Sequence, residues 1–140
     1  MASILLIEDD ENLRNMTAEL LRSAGHTVDT ADDGKPGIAL YKAKLHDLII
    51  TDIVMPDMDG LKLIDELRQT ASRPRIIAMS GDSKLSVPLY LPIAKLLGAD
   101  RILAKPVLPD VLLKTVADAL AKPAPATITR ALPDKSNKEA

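Results

Sequence analysis

The sequence predicts an α/β fold built on a doubly wound, open parallel sheet. Short runs of Ile, Leu and Val alternate along the chain with longer stretches of helical period. The runs are apolar at consecutive positions, as in strands covered on both faces. Strands separated by helices are joined by right-handed crossovers, which place helices on both sides of the sheet.

The elements follow in order. Ser3–Ile7 is an Ile/Leu strand. From Glu11 to Ala24, Leu13, Met16, Leu20, Leu21 and Ala24 recur at helical spacing, with Gly25 as the stop. Thr27–Ala31 is a second strand, its Val28 between polar neighbours as at a sheet edge. Gly34 to Lys44 is a helix reading through Ile38, Leu40, Tyr41 and Leu45. Leu48–Thr51 is a third buried strand running into Asp52. After a Pro/Gly/Asp loop, Leu61–Gln69 carries the stripe Leu61, Leu63, Ile64 and Leu67, and Arg75–Met79 is the fourth strand. Pro88 and Pro92 interrupt the next window, and a proline inside a helix costs roughly 3 kcal/mol. A fourth helix is therefore expected to start near Pro92 and to end before Gly98. Arg101–Ala104 is the fifth strand and Pro109–Ala121 the fifth helix. Residues 1–121 form one domain. The tail 122–140, rich in Pro, Ala, Lys and Ser without apolar period, is expected to be disordered.

Composition narrows the function. The 140 residues carry a net charge of -2, against a dedicated nucleic-acid binder. Tyr41 and Tyr90 are the only aromatic residues, too few for base stacking. Without cysteine there is neither a disulfide nor a thiolate metal site. No apolar run reaches membrane-spanning length, and the expected location is the cytoplasm.

Chemistry collects at the carboxyl ends of the strands, where a doubly wound sheet binds its ligands. The first strand runs into Glu8-Asp9-Asp10, the third into Asp52, the fourth into Ser80 and the fifth into Lys105. Two carboxylates about 5 Å apart repel by about 3 kcal/mol at an effective dielectric near 20. One lysine does not balance such a cluster. A hard divalent cation with oxygen ligands, Mg²⁺ or Mn²⁺, does, and leaves room for a phosphoryl oxygen. Carboxylate, metal, hydroxyl and ammonium around one point suit phosphoryl transfer, with a carboxylate nucleophile ending as an aspartyl phosphate.

The segments Ile4–Asp10, Asp47–Gly60, Met79-Ser80-Gly81 and Lys105-Pro106 resemble, in order and in position, the signature of two-component receiver domains of the single-domain, chemotaxis-regulator type. The likeness covers residues 3 to about 121. It implies the flavodoxin-like strand order 2-1-3-4-5 and a set of roles. Asp52 is the phosphoryl acceptor and a metal ligand. Asp9 is a direct metal ligand, the Val54 backbone carbonyl another, and Glu8 acts through water. Ser80 and Lys105 contact the phosphoryl group and switch with it, and Lys105-Pro106 is a candidate cis peptide. Pro56 and Gly60 shape the loop after the acceptor. The implied phosphoryl donor is a histidine kinase or a histidine phosphotransfer protein. Output would pass to a partner protein across the face formed by the fourth helix, fifth strand and fifth helix, as in a relay or diffusible messenger.

Two positions depart from the family pattern. Ile102 stands where an aromatic switch residue is usual, and Val107 replaces a common Phe. Val54, lacking a polar side chain to orient water, implies slow self-dephosphorylation. Leu85, Val87, Leu89, Tyr90 and Leu91 read either as cover for the core or as a partner surface.

Plainer readings stand beside these. Asp10 and Glu11 also suit a helix N-terminus, Asp57 and Asp59 a loop or cap, and His26 and His46 the surface or a strand edge. Two other functions compete: a receiver-like interaction module independent of phosphate, and a phosphatase of the haloacid dehalogenase type. The latter needs a second acid where Val54 stands. Nucleotide binding lacks its glycine-rich loop. The chain is thus expected to be no enzyme beyond its own phosphoryl transfer and dephosphorylation.

Overall fold

The computed structural model describes residues 1–53, 60–72, 74–80 and 98–121, with backbone alone at 60, 61 and 80. The predicted helix at 92–97, the apolar segment 83–91, the tail 122–140 and residues Val54, Pro56, Asp57 and Asp59 lie outside them. The elements are β1 (Ser3–Ile7), α1 (Glu11–Ser23), β2 (Thr27–Ala31), α2 (Gly34–Lys44), β3 (Leu48–Asp52), α3 (Gly60–Arg68), β4 (Arg75–Ser80), β5 (Arg101–Ala104) and α4 (Pro109–Ala121), the helix predicted as the fifth. The sheet is parallel throughout, in the order β2-β1-β3-β4-β5. β2 is an edge strand, as the polar neighbours of Val28 predict.

Alternation along the strands builds two cores. Leu5, Ile7, Ile49, Ile76 and Ala78 face α2 and α3, meeting Ile38, Tyr41, Leu63, Ile64 and Leu67. Ile4, Leu6, Leu48, Ile50, Ile77 and Met79 face α1 and α4, meeting Ala18, Leu21, Leu112 and Val116. Each such aliphatic side chain contributes about 1.5–3 kcal/mol on full burial. Both faces of β1 and β3 are therefore dry, which is why these strands read as unbroken apolar runs.

The helix stripes differ in part from the expected ones. On α1, Met16 is 69% exposed and Ala18 is buried in its place. On α2, Leu40 and Leu45 are exposed, and the inner face is Gly34, Gly37, Ile38 and Tyr41. Gly37 is there because of a close approach: a Cβ at this position would lie 2.5 Å from Ile7 Cδ1. Gly25, at φ +99°, ends α1 and donates its N–H to the Arg22 carbonyl.

Candidate functional site

The register brings the acids level. Ile7 pairs with Thr51 in the β1–β3 ladder, so the next residues, Glu8 and Asp52, leave adjacent strands side by side. The order of strands reverses direction between β1 and β3, the place where open α/β sheets form their ligand crevice. β5 delivers Lys105 one residue beyond Ala104, which pairs with Ser80.

The Lys105 ammonium donates to both acids, to Glu8 Oε1 at 2.7 Å and to Asp52 Oδ2 at 2.8 Å. Glu8 and Asp52 are buried, at 1% and 6% exposure, and Asp9 is exposed beside them. One carboxylate oxygen from each of Glu8, Asp9 and Asp52 lies within 4.8 Å of the others. Burial pushes the Glu8 carboxyl above its ordinary range; the Lys105 bond opposes this and the Asp52 charge adds to it. Burial likewise raises Asp52, opposed by Lys105 and assisted by the charge of Asp9. Burial would lower Lys105, but its bonds to Asp52 and Glu8 outweigh that and raise it. Two buried acids thus share one ammonium with a third acid close by, and the two buried ones ionise reluctantly.

That donor set fits a hard divalent cation. Carboxylate oxygens converge from two strand ends, one of them exposed to an arriving ion, with charge in excess of what Lys105 balances.

The other predicted positions divide. Asp10 is the N-cap of α1, its Oδ1 accepting the Leu13 N–H at 3.0 Å, so its role is structural. Ser80 ends β4, and only its backbone is described. The Lys105-Pro106 peptide is cis. Ile102 is half-buried and packs against the α2–α3 core, opposite Ala78 in the ladder. Val107 packs against the other core.

Of the two readings of His46, surface or strand edge, its burial overturns the first. Its side chain is fully buried beneath α2, with Nε2 2.7 Å from Asp29 Oδ2 and its ring stacked on Tyr41. His26 is half-buried, its Nδ1 accepting the Ala2 N–H at 3.1 Å. The sequence reading passed over Arg14, which donates from Nη1 to the Glu8 carbonyl at 2.9 Å. Only the structure, by burying Ala18 in place of Met16, puts Arg14 on one face of α1 with two core residues, Ala18 and Leu21.

Comparison with known proteins gives the site its family. Residues 4–117 match the family described as response regulator receiver domain. The transcriptional regulatory protein CpxR of Klebsiella pneumoniae is 39% identical over 106 residues, which are 76% of this chain and 44% of CpxR. The chemotaxis response regulator CheY4 of Vibrio cholerae superposes with a TM-score of 0.77 at 30% identity, covering 85% of this chain and 98% of CheY4. TrrA of Thermotoga maritima, crystallised in complex with Mg(2+)-BeF, superposes with a TM-score of 0.74 at 27% identity, covering 85% of this chain and 99% of TrrA. The chain spans less than half the length of curated relatives such as CpxR. A family match over residues 4–117, together with the strand order β2-β1-β3-β4-β5, shows that the chain belongs to the receiver domains of two-component response regulators.

Proposed function

We propose that the chain is a phosphorylation switch in which Asp52 accepts a phosphoryl group from a phosphohistidine of a sensor kinase or phosphotransfer protein. The observation that carries this reading is the Lys105 ammonium bonded to both Asp52 and Glu8 amid three converging carboxylates. An Asp52 carboxylate oxygen attacks phosphorus, the P–N bond to the imidazole breaks, and the imidazole keeps the electron pair and takes up a proton. The product is an acyl phosphate on Asp52. Asp9 and Asp52 would hold Mg²⁺ or Mn²⁺ directly, with Glu8 through water and the Val54 carbonyl as a further ligand. When bound, the ion neutralises charge on the phosphoryl oxygens.

Lys105 holds one Asp52 oxygen in the resting state and is placed to follow the phosphoryl group after transfer, with the Ser80 hydroxyl as a second donor to it. Exchange of these bonds biases an equilibrium between two conformations. The output passes to a protein partner rather than to nucleic acid or membrane, by way of the face around β5 and α4. Among the described residues no helix is long and apolar enough to cross a membrane, and we place the switch in the cytoplasm. With Val54 offering no polar side chain to orient water, the aspartyl phosphate is long-lived, and the chain turns over no substrate but its own phosphoryl group.

Acetyl phosphate with Mg²⁺, read by intact mass, tests the reading. One phosphate is expected on the wild type and none on Asp52→Ala or without Mg²⁺. No adduct under conditions that label another receiver would favour a phosphate-independent interaction module. The aliphatic Ile102, packed against the core without a swinging ring, supports that second reading.

A further inference from the structure

Glu8 is held at four atoms. Its N–H donates to the Ala31 carbonyl of β2 at 3.0 Å. Its Oε2 accepts the Asp10 N–H at 3.2 Å, and its Oε1 accepts Lys105 at 2.7 Å. The fourth bond, from Arg14 Nη1 to the Glu8 carbonyl, comes from a side chain six residues away in sequence. The first three follow from the edge of the sheet, the turn into α1 and the ammonium of the site. The fourth follows from none of these.

Arg14 is also out of place by local rules. It lies one turn from the N-terminus of α1, where the helix dipole disfavours a cation. It shares a helix face with buried Ala18 and Leu21, where a charge is costly. Among the described residues it forms no ion pair, and its one side-chain bond is to the Glu8 carbonyl. A residue that breaks both rules at the rim of a site marks a functional constraint.

The Glu8 carbonyl and the Asp9 N–H belong to one planar peptide unit. Fixing the carbonyl oxygen fixes the plane, and with it the direction in which Asp9 leaves the strand. Asp9 needs such help: it is exposed, and its carboxylate makes no hydrogen bond among the described residues. Nothing but the backbone aims it toward Glu8 and Asp52, within 4.8 Å of both.

We propose that Arg14 is a positioning residue for the divalent cation, pinning the Glu8–Asp9 peptide so that the Asp9 carboxylate faces Asp52. The inference rests on the reading of Asp9 and Asp52 as metal ligands. Groups that orient ligands without touching the metal typically change affinity about 10–100-fold when removed.

Calorimetric titration with MgCl₂ tests this on wild type, Arg14→Met and Arg14→Lys, with circular dichroism verifying the fold. Arg14→Met keeps the apolar stem and removes every donor. Its Mg²⁺ affinity is expected to fall about tenfold, with Arg14→Lys, which retains one donor, recovering part of the loss. Labelling by acetyl phosphate is expected to need about tenfold more Mg²⁺ for half-maximal rate and to reach the wild-type rate at saturation. A merely structural role would lower the melting temperature and leave the Mg²⁺ affinity alone. Folded Arg14→Met with an affinity within twofold of wild type overturns the proposal while leaving the metal site intact. A wild type that binds no Mg²⁺ overturns the metal site and the proposal together. Arg14→Gln, shorter and polar, is judged by the same criterion if Arg14→Met does not fold.

Discussion

Asp52 and Asp29 are aspartates on strands of one sheet, each bonded to a nitrogen about 2.7–2.8 Å away, yet the protein treats their charges in opposite ways. Asp29, on the edge strand, accepts from His46 and Lys44 and stands apart from other acids. The His46 bond, with Lys44 assisting against partial burial, holds its carboxyl below the ordinary range. Asp52, on the central strand, shares a single ammonium with Glu8 and has Asp9 nearby, and burial holds its carboxyl above that range. The edge strand satisfies one acid with two donors, whereas the rim asks one donor to serve several acids. The first arrangement serves the fold. The second leaves negative charge in excess, the arrangement that a bound cation would relieve.

Substitutions can break this contrast. Removing the shared ammonium by Lys105→Met leaves two buried carboxyls without it and is expected to cost about 3 kcal/mol at neutral pH by urea unfolding. The loss should shrink in acid as Glu8 and Asp52 protonate.

On the other side, His46→Ala empties a fully buried ring site and takes from Asp29 its closer donor, a cost of about 2 kcal/mol in the same assay.

Asp52→Asn is expected to go the other way, stabilising the cation-free protein by about 1 kcal/mol at pH 7. The sign follows from the raised carboxyl. The fold favours the protonated acid, an advantage complete below the ordinary value of 3.8 and lost as pH rises through the higher folded value. At neutral pH the charge is therefore carried at a cost that asparagine removes.

The smallest effect belongs to Asp29→Asn, under about 1 kcal/mol at neutral pH because the group is partly exposed. Its pH dependence is reversed. A depressed carboxyl contributes above the ordinary value of 3.8 and loses that contribution as pH falls through its lower folded value, so wild type and variant should converge in acid.

The same contrast explains what the sequence disclosed. β1 and β3 are covered on both faces, so Ile4–Ile7 and Leu48–Ile50 announce themselves as apolar runs, and the acids that follow fall on the rim by topology alone. Glu8, Asp9, Asp52 and Lys105 could be brought together on paper because strand ends converge whatever the side chains do. Helix faces were less legible. Met16 and Leu40 fit a helical stripe by hydrophobicity but point outward, because small residues, Ala18 on α1 and Gly37 on α2, occupy the places nearest the sheet. His46 and Arg14 escaped for a shared reason. Each is a polar side chain, buried for His46 and half-buried for Arg14, held by one specific partner, Asp29 for the first and the Glu8 carbonyl for the second. Such pairings depend on where two distant segments cross, which periodicity does not encode.

Unfolding by urea at pH 7, with and without Mg²⁺, on wild type and Asp52→Asn tests the central claim most directly. If the carboxyl rim carries excess charge for a cation, Mg²⁺ at a hundredfold over its dissociation constant stabilises the wild type by about 2.7 kcal/mol. Asp52→Asn, already relieved of one charge and one ligand, gains much less. A wild type indifferent to Mg²⁺, or an equal gain in both proteins, would contradict the account.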